Sequence, residues 1–170
     1  VYGGDLQVGD DIVVLPSQTT SKIKDIYFYD EKYDVAARRS SVTITLEDEV
    51  NISRGDMLVK AGDLPRMDKK LNAVICWMDT TPLTVNRKYT LQHGVNKVLA
   101  VVTGISHTVN LDFSGVNEEP ESIGVNDIAL VSFKLNKTIF TDRFEDHRTN
   151  GSFILIDNQT NNTVGAGFIQ

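Results

Sequence analysis

Helix-forming periodicity is what this sequence most lacks. No stretch of about twelve residues or more keeps its apolar positions at a 3.6-residue spacing, which excludes helical bundles and folds that cross helices between parallel strands. Cysteine occurs once, as Cys76. A single thiol excludes an intramolecular disulfide framework and suits a reducing compartment, the cytoplasm. Long apolar runs are missing too. The longest, Val98-Leu99-Ala100-Val101-Val102, falls far short of the roughly 18 residues that a membrane-spanning helix needs. Positive charge is in deficit: 17 Lys and Arg stand against 23 Asp and Glu, a net charge of −6 over 170 residues. No basic stripe runs along the chain to displace counterions from phosphates, so nucleic acid is not an expected partner. The chain opens Val1-Tyr2-Gly3-Gly4, without an initiator Met or a charged-then-apolar leader, and reads as a piece of something longer.

What is present is alternation of period two. In Val42-Thr43-Ile44-Thr45-Leu46-Glu47 the even positions are apolar and the odd ones polar, the pattern of a half-buried strand. Short apolar bursts recur over 12–15, 23–29, 57–59, 71–78, 98–105, 128–135, 153–156 and 164–169. Between them lie turn formers: Gly9-Asp10, Gly55-Asp56, Pro82, His93-Gly94, Asn126-Asp127, Asn150-Gly151 and the run 158–162. Many short strands at this spacing predict an all-β fold, a sandwich or barrel. Residues 60–70 break the pattern with Gly, Pro and charges, dividing the chain into segments of about 60 and 100 residues. In the second segment Leu71, Ala73, Ile75 and Trp77 fill one face of a strand, while Val74, Cys76 and Met78 occupy most of the other. A strand apolar on both faces is expected to be covered on both sides.

Chemistry is sparse. There is no G-x-x-x-x-G-K-[ST] phosphate loop, and Asn136-Lys137-Thr138-Ile139 begins like a guanine-recognition N-K-x-D but ends on Ile, without the carboxylate that would read the base. His93, His107 and His147 stand without a Cys or carboxylate at ligand spacing and read as exposed turn residues. Cys76 lies within an apolar strand, where a thiol serves as a small hydrophobe. Glu47, Asp48 and Glu49 read as a solvated hairpin end, and Arg54-Gly55-Asp56 as a turn rather than an integrin ligand. The five N-x-[ST] sequons, at Asn51, Asn136, Asn150, Asn158 and Asn161, read as an Asn- and Thr-rich surface. Trp77 and the five tyrosines are expected to pack in a core or interface rather than stack on bases.

Several blocks carry a family resemblance. Leu6-x-Val8-Gly9-Asp10-x-Ile12-x-Val14-Leu15-Pro16-Ser17 resembles the opening of the second domain of translation-factor-type GTPases. The run Leu46-Glu47-Asp48-Glu49-Val50-Asn51-Ile52-Ser53-Arg54-Gly55-Asp56 is similar to the L-x-D-E-I-D-I-S-R-G-D of the GTPase subunit of bacterial sulfate adenylyltransferase, with Asn51 where that family has Asp. Trp77-Met78-Asp79, Pro82-Leu83 and Tyr89-x-Leu91-x-His93-Gly94 follow in the family's order. The closing block, from Thr149 through Gly151-Ser152-Phe153-Ile154-Leu155-Ile156-Asp157 to Thr160-Asn161-x-Thr163-Val164-Gly165-Ala166-Gly167, matches apart from one extra residue, Asn150.

The resemblance implies two antiparallel β-barrels, like domains 2 and 3 of elongation factor Tu: residues 1–62 with the first strand truncated, a linker at 63–67, and residues 68–170. It also implies a GTPase domain, absent here, that would carry GTP and Mg, and a partner, the catalytic subunit 2 of ATP-pyrophosphatase type. That holoenzyme makes adenosine 5′-phosphosulfate and pyrophosphate from ATP and sulfate, driven by GTP hydrolysis. The barrels themselves are expected to hold no catalytic, cofactor-binding or metal-ligating residue, and to meet neither membrane nor nucleic acid. A tRNA-binding barrel pair of an elongation-factor-like GTPase is the alternative; an extracellular adhesion module built on Arg54-Gly55-Asp56 is the third and poorest reading.

Overall fold

A computed structural model describes residues 1–109, 116–118 and 120–170. The chain divides into two compact units, Val1–Pro65 and Arg66–Gln170. All regular structure among the described residues is β-strand.

The first unit contains β1 (Leu6–Gln7), β2 (Asp11–Leu15), β3 (Thr19–Phe28), β4 (Glu31–Tyr33), β5 (Val35–Ala36), β6 (Thr43–Leu46) and β7 (Met57–Lys60). Its antiparallel sheet runs β4-β3-β2-β7, with β6 on β3 and a separate β1-β5 ribbon. Alternation turns Ile12, Val14, Ile23 and Ile26 into a fully buried core, on which Ile44, Leu46 and Leu58 lie half-buried. Thr43 and Thr45 face outward, as the period-two pattern requires. No ladder joins β6 to β7 among the described residues, so this barrel is open.

Both Gly-Asp turns are built alike. The Asp10 carboxylate accepts the Gln7 N–H at 2.8 Å with Gly9 at φ 89°, and the Asp56 carboxylate accepts the Ser53 N–H at 2.8 Å with Gly55 at φ 104°. Glycine supplies the positive φ, and the carboxylate three residues on takes the amide that the turn frees. Asp10 also meets Lys60 at 2.8 Å, and that ammonium pulls the Asp10 carboxyl below its ordinary range.

The second unit contains β8 (Arg66–Trp77), β9 (Leu83–Thr84), β10 (Lys88–His93), β11 (Asn96–Val109), β12 (Val116–Glu118), β13 (Ser122–Ile123), β14 (Ile128–Thr141), β15 (Ser152–Ile156) and β16 (Thr163–Ile169). Strand β8 starts at Arg66, so the stretch between the units is already extended at its last two residues. Six strands close on themselves in the order β10-β15-β16-β8-β14-β11, with β11 returning to β10. Inward positions alternate large and small, Trp77, Phe133 and Phe153 against Ala73, Ala100 and Ala129, which fills the taper of a narrow barrel.

The glycines of the closing block explain how two rings fit. A Cβ on Gly167 would lie 2.2 Å from the Phe153 ring, and one on Gly165 would lie 3.2 Å from Trp77. Both are inward positions of β16, and neighbouring aromatics occupy the volume where their side chains would stand. On β8, Leu71, Ala73, Ile75 and Trp77 face the core as the sequence predicts. The opposite face is less covered than expected: Val74 and Cys76 are half-buried and Met78 is exposed.

Candidate functional site

The residues that the sequence singled out scatter. Glu47 and Glu49 are exposed beyond β6, but Asp48 is tied down, its carboxylate accepting the Ser21 hydroxyl at 2.8 Å. Asn136 and Lys137 sit in the register shift of β14 against β8, where the Asn136 side chain accepts the Leu99 N–H at 2.9 Å. Among the described residues no three His, Cys, Asp or Glu side chains converge as metal ligands.

His93 corrects the expectation of exposed turn histidines. It is buried, because it continues the inward series Tyr89, Leu91, His93 on β10. Its Nε2 lies 2.8 Å from the Asn150 carbonyl. Asn150, the extra residue of the closing block, donates its backbone N–H to His147 Nδ1 at 3.0 Å and its amide to Asp142 at 2.8 Å. The insertion thus organises its own turn. His107 and His147 are half-buried.

Three blocks of the sequence do converge, on a cavity of about 110 Å³ at one rim of the closed barrel. Trp77 ends β8 and Asp79 follows it, Arg87 and Tyr89 stand at the start of β10, Asp157 and Thr160 come from the β15–β16 connection, and Val164 from the start of β16. The Trp77 indole N–H donates to the Thr81 carbonyl at 2.9 Å, and the Thr81 N–H donates to Asp79 at 2.7 Å, which fixes the turn after β8. Trp77 meets Tyr89 edge to face at 5.5 Å, and the Arg87 guanidinium lies 5.6 Å from the Tyr89 ring centroid. Arg87 also reaches Asp157 at 3.5 Å. One oxygen of Asp157 accepts the backbone N–H groups of Gln159 and Thr160, each at 2.9 Å, and the Thr160 hydroxyl at 3.2 Å. Those amides hold the Asp157 carboxyl below its ordinary range.

The Tyr89 hydroxyl is different. It is fully buried and makes no hydrogen bond among the described residues. Burial pushes its pKa up to about 12, so at neutral pH it is a neutral phenol that can donate a proton in a hydrogen bond but cannot serve as a base. A buried polar group without a partner costs about 1–3 kcal/mol. The cavity is thus a polar socket, lined by the Tyr89 ring, the Arg87–Asp157 pair and Asp79, and roomy enough for one small polar group. The resemblance blocks contain Trp77, Tyr89 and Asp157, but nothing in them marks the Tyr89 hydroxyl as unsatisfied, and Arg87 lies outside them altogether.

In the first unit a shallower groove of about 360 Å³ is lined by Tyr27, Phe28, Tyr29, Ser41, Val42 and Thr43. Tyr29 is largely exposed at its rim, on a turn that puts it at φ 54°.

Residues 70–170 match a family model described as GTP-eEF1A C-terminal domain-like. End to end, the chain is 36–38% identical to proteins named sulfate adenylyltransferase subunit 1. One, from Shewanella woodyi, is 36% identical over 170 residues, all of this chain and 36% of the relative. The chain therefore spans about a third of the length of the curated relatives it matches. Among solved structures, Sup35 complexed with GDP has a TM-score of 0.86 at 16% identity, covering 99% of this chain and 41% of the other. Translation elongation factor SelB from Methanococcus maripaludis has a TM-score of 0.77 at 22% identity, covering 98% and 37%. At such identities these two likenesses concern the fold alone.

Proposed function

Because the chain belongs to the GTP-eEF1A C-terminal domain-like family, we propose that it forms the two-barrel body of a sulfate adenylyltransferase GTPase subunit, and that this body couples GTP hydrolysis to the adenylylation of sulfate. The observation that carries the reading is the end-to-end likeness to subunit 1 proteins, which a shared barrel fold alone does not supply. On this reading GTP and Mg²⁺ belong to a GTPase domain of the full-length protein. Adenylyl transfer from ATP to sulfate, with release of pyrophosphate, belongs to a separate subunit of ATP-pyrophosphatase type, and the assembly works in the cytoplasm.

The barrels contribute rigidity and docking surface. A closed six-strand barrel with interlocked rings moves as one body, so a GTPase domain changing its nucleotide state displaces it as a whole, and a partner subunit senses the displacement.

The test is reconstitution of the full-length protein with an adenylyltransferase subunit of that type, with adenosine 5′-phosphosulfate measured with and without GTP. GTP-dependent product is expected. Product formation indifferent to GTP, or nucleotide hydrolysis by the 170-residue chain alone, would overturn the reading. A tRNA-binding role, the alternative reading, would instead show as tRNA affinity that falls steeply with salt.

A further inference from the structure

The outer face of the closed barrel gathers lysines from three distant parts of the chain. Lys88 on β10 is the cross-strand partner of Val101 on β11, Val101 is the partner of Lys134 on β14, and Lys134 is the partner of Lys70 on β8. All three lysines are exposed, and each is flanked along its strand by a buried residue (Tyr89, Phe133 and Leu71), so the row points outward. Lys97, opposite Gln92, and Lys137, in the β14 register shift, are exposed toward the same end of these strands. None of the five makes an ion pair among the described residues. The outward neighbours of Lys70, Lys88 and Lys134, namely Thr90, Leu99, Val101, Asn136, Ser132 and Asn72, are neutral, and Asp68, two residues before Lys70 on β8, is taken up by the Thr141 hydroxyl and Arg66.

Such a row is unfavourable by itself. Lys70 and Lys134 are directly opposed on adjacent strands, with Cβ atoms about 5 Å apart, and like charges so placed repel. Lys88 lies two strands further on, roughly 10 Å from Lys134. The row also runs against the balance of a chain whose net charge is −6. Negative charge from outside relieves the repulsion.

We propose that this face docks an acidic segment of a partner protein, with carboxylates alternating with apolar side chains. The alternation follows from Leu99 and Val101, half-buried between the lysines, which offer apolar contact where a phosphate backbone has none to give. Nucleic acid fits less well. The row holds no aromatic platform for bases, and the net charge repels an extended polyanion, whereas a short acidic segment within a Debye length of about 8 Å meets mainly the lysines.

The experiment is fluorescence anisotropy with the full-length protein and a fluorescein-labelled peptide of alternating Glu and Leu, with a Gln/Leu peptide and tRNA as the other arms. The Glu/Leu peptide binds, its affinity falls with salt, and Lys70→Glu with Lys134→Glu weakens it roughly tenfold, as loss and reversal of two surface charge contacts do. Lys70→Gln with Lys134→Gln weakens it less and leaves thermal unfolding unchanged or raised, which separates binding from folding. Lys24→Glu, at an exposed lysine of the first unit, leaves binding intact. No peptide binding, equal binding of the Gln/Leu peptide, indifference to both double variants, or tRNA binding that is tighter and lost in the same variants would each overturn the proposal.

Discussion

Replacing Tyr89 by phenylalanine removes one oxygen and nothing else from the barrel rim. Since that hydroxyl is buried and makes no hydrogen bond, the substitution relieves an uncompensated desolvation and should stabilise the chain by about 1–2 kcal/mol at pH 7. The edge-to-face contact with Trp77 and the position of Arg87 over the ring do not depend on the oxygen and are retained. The pH dependence sharpens the prediction. Burial raises the phenol from 10.0 to about 12 in the folded state. For an acid whose folded pKa is raised, the stabilising contribution of that linkage is complete below pH 10 and lost as pH climbs toward 12, because the unfolded chain releases the proton first. Two pKa units correspond to about 3 kcal/mol. The stability difference between the Tyr89→Phe variant and the parent chain should therefore widen by about 2 kcal/mol between pH 10 and 12, with all other tyrosines and lysines cancelling in the comparison. Urea unfolding of both chains across this range measures it. A variant less stable than the parent at pH 7, or a difference that stays flat through pH 12, would show that the hydroxyl is satisfied after all and would remove the physical basis of the socket.

The glycines and the capped turn give further tests. Gly167→Ala places a Cβ against the Phe153 ring and should cost about 1–3 kcal/mol in chemical unfolding. Gly151→Ala should cost more, at or above the top of that range, because its Cβ would lie 2.4 Å from the Phe144 Cα, and backbone yields less readily than a ring. Asp157→Ala frees two turn amides and should cost about 2 kcal/mol. Asp157→Asn, which keeps an acceptor, should cost less. Because the Asp157 carboxyl is held below its ordinary range, its contribution is present above the unfolded-state carboxylate range and lost as pH falls through the folded value, so the parent but not the Asn variant should lose this increment on acidification. Gly55→Ala, at φ 104°, should destabilise the first unit by about 1–3 kcal/mol, measured by its thermal unfolding.

Period two told most of what the strands do. Ile44 and Leu46 turned inward while Thr43 and Thr45 turned out, and Leu71 through Trp77 lined a core, because each strand's faces are decided within the strand. The same rule, applied to Tyr89-x-Leu91-x-His93, places His93 inside, although the adjoining Gly94 has the chemistry of a turn. Closure was not legible. Whether a sheet returns on itself depends on ladders such as β10 with β11 on one side and β15 on the other, and these pair residues far apart in the chain. That is why one barrel closed and the other stayed open though their strands alternate alike.

The site and the lysine face were hidden for the same reason. A scan along the chain finds no basic stripe, because Lys70, Lys88 and Lys134 are isolated from one another in sequence and become neighbours only through the register of four strands. The surroundings of Tyr89 are likewise set at a distance: Arg87 lies by its ring and reaches Asp157, which belongs to a connection far along the chain. In a barrel, local pattern decides what is buried, and register decides which exposed or half-exposed groups meet. The cavity beside Tyr89 and the lysine row both belong to the second category.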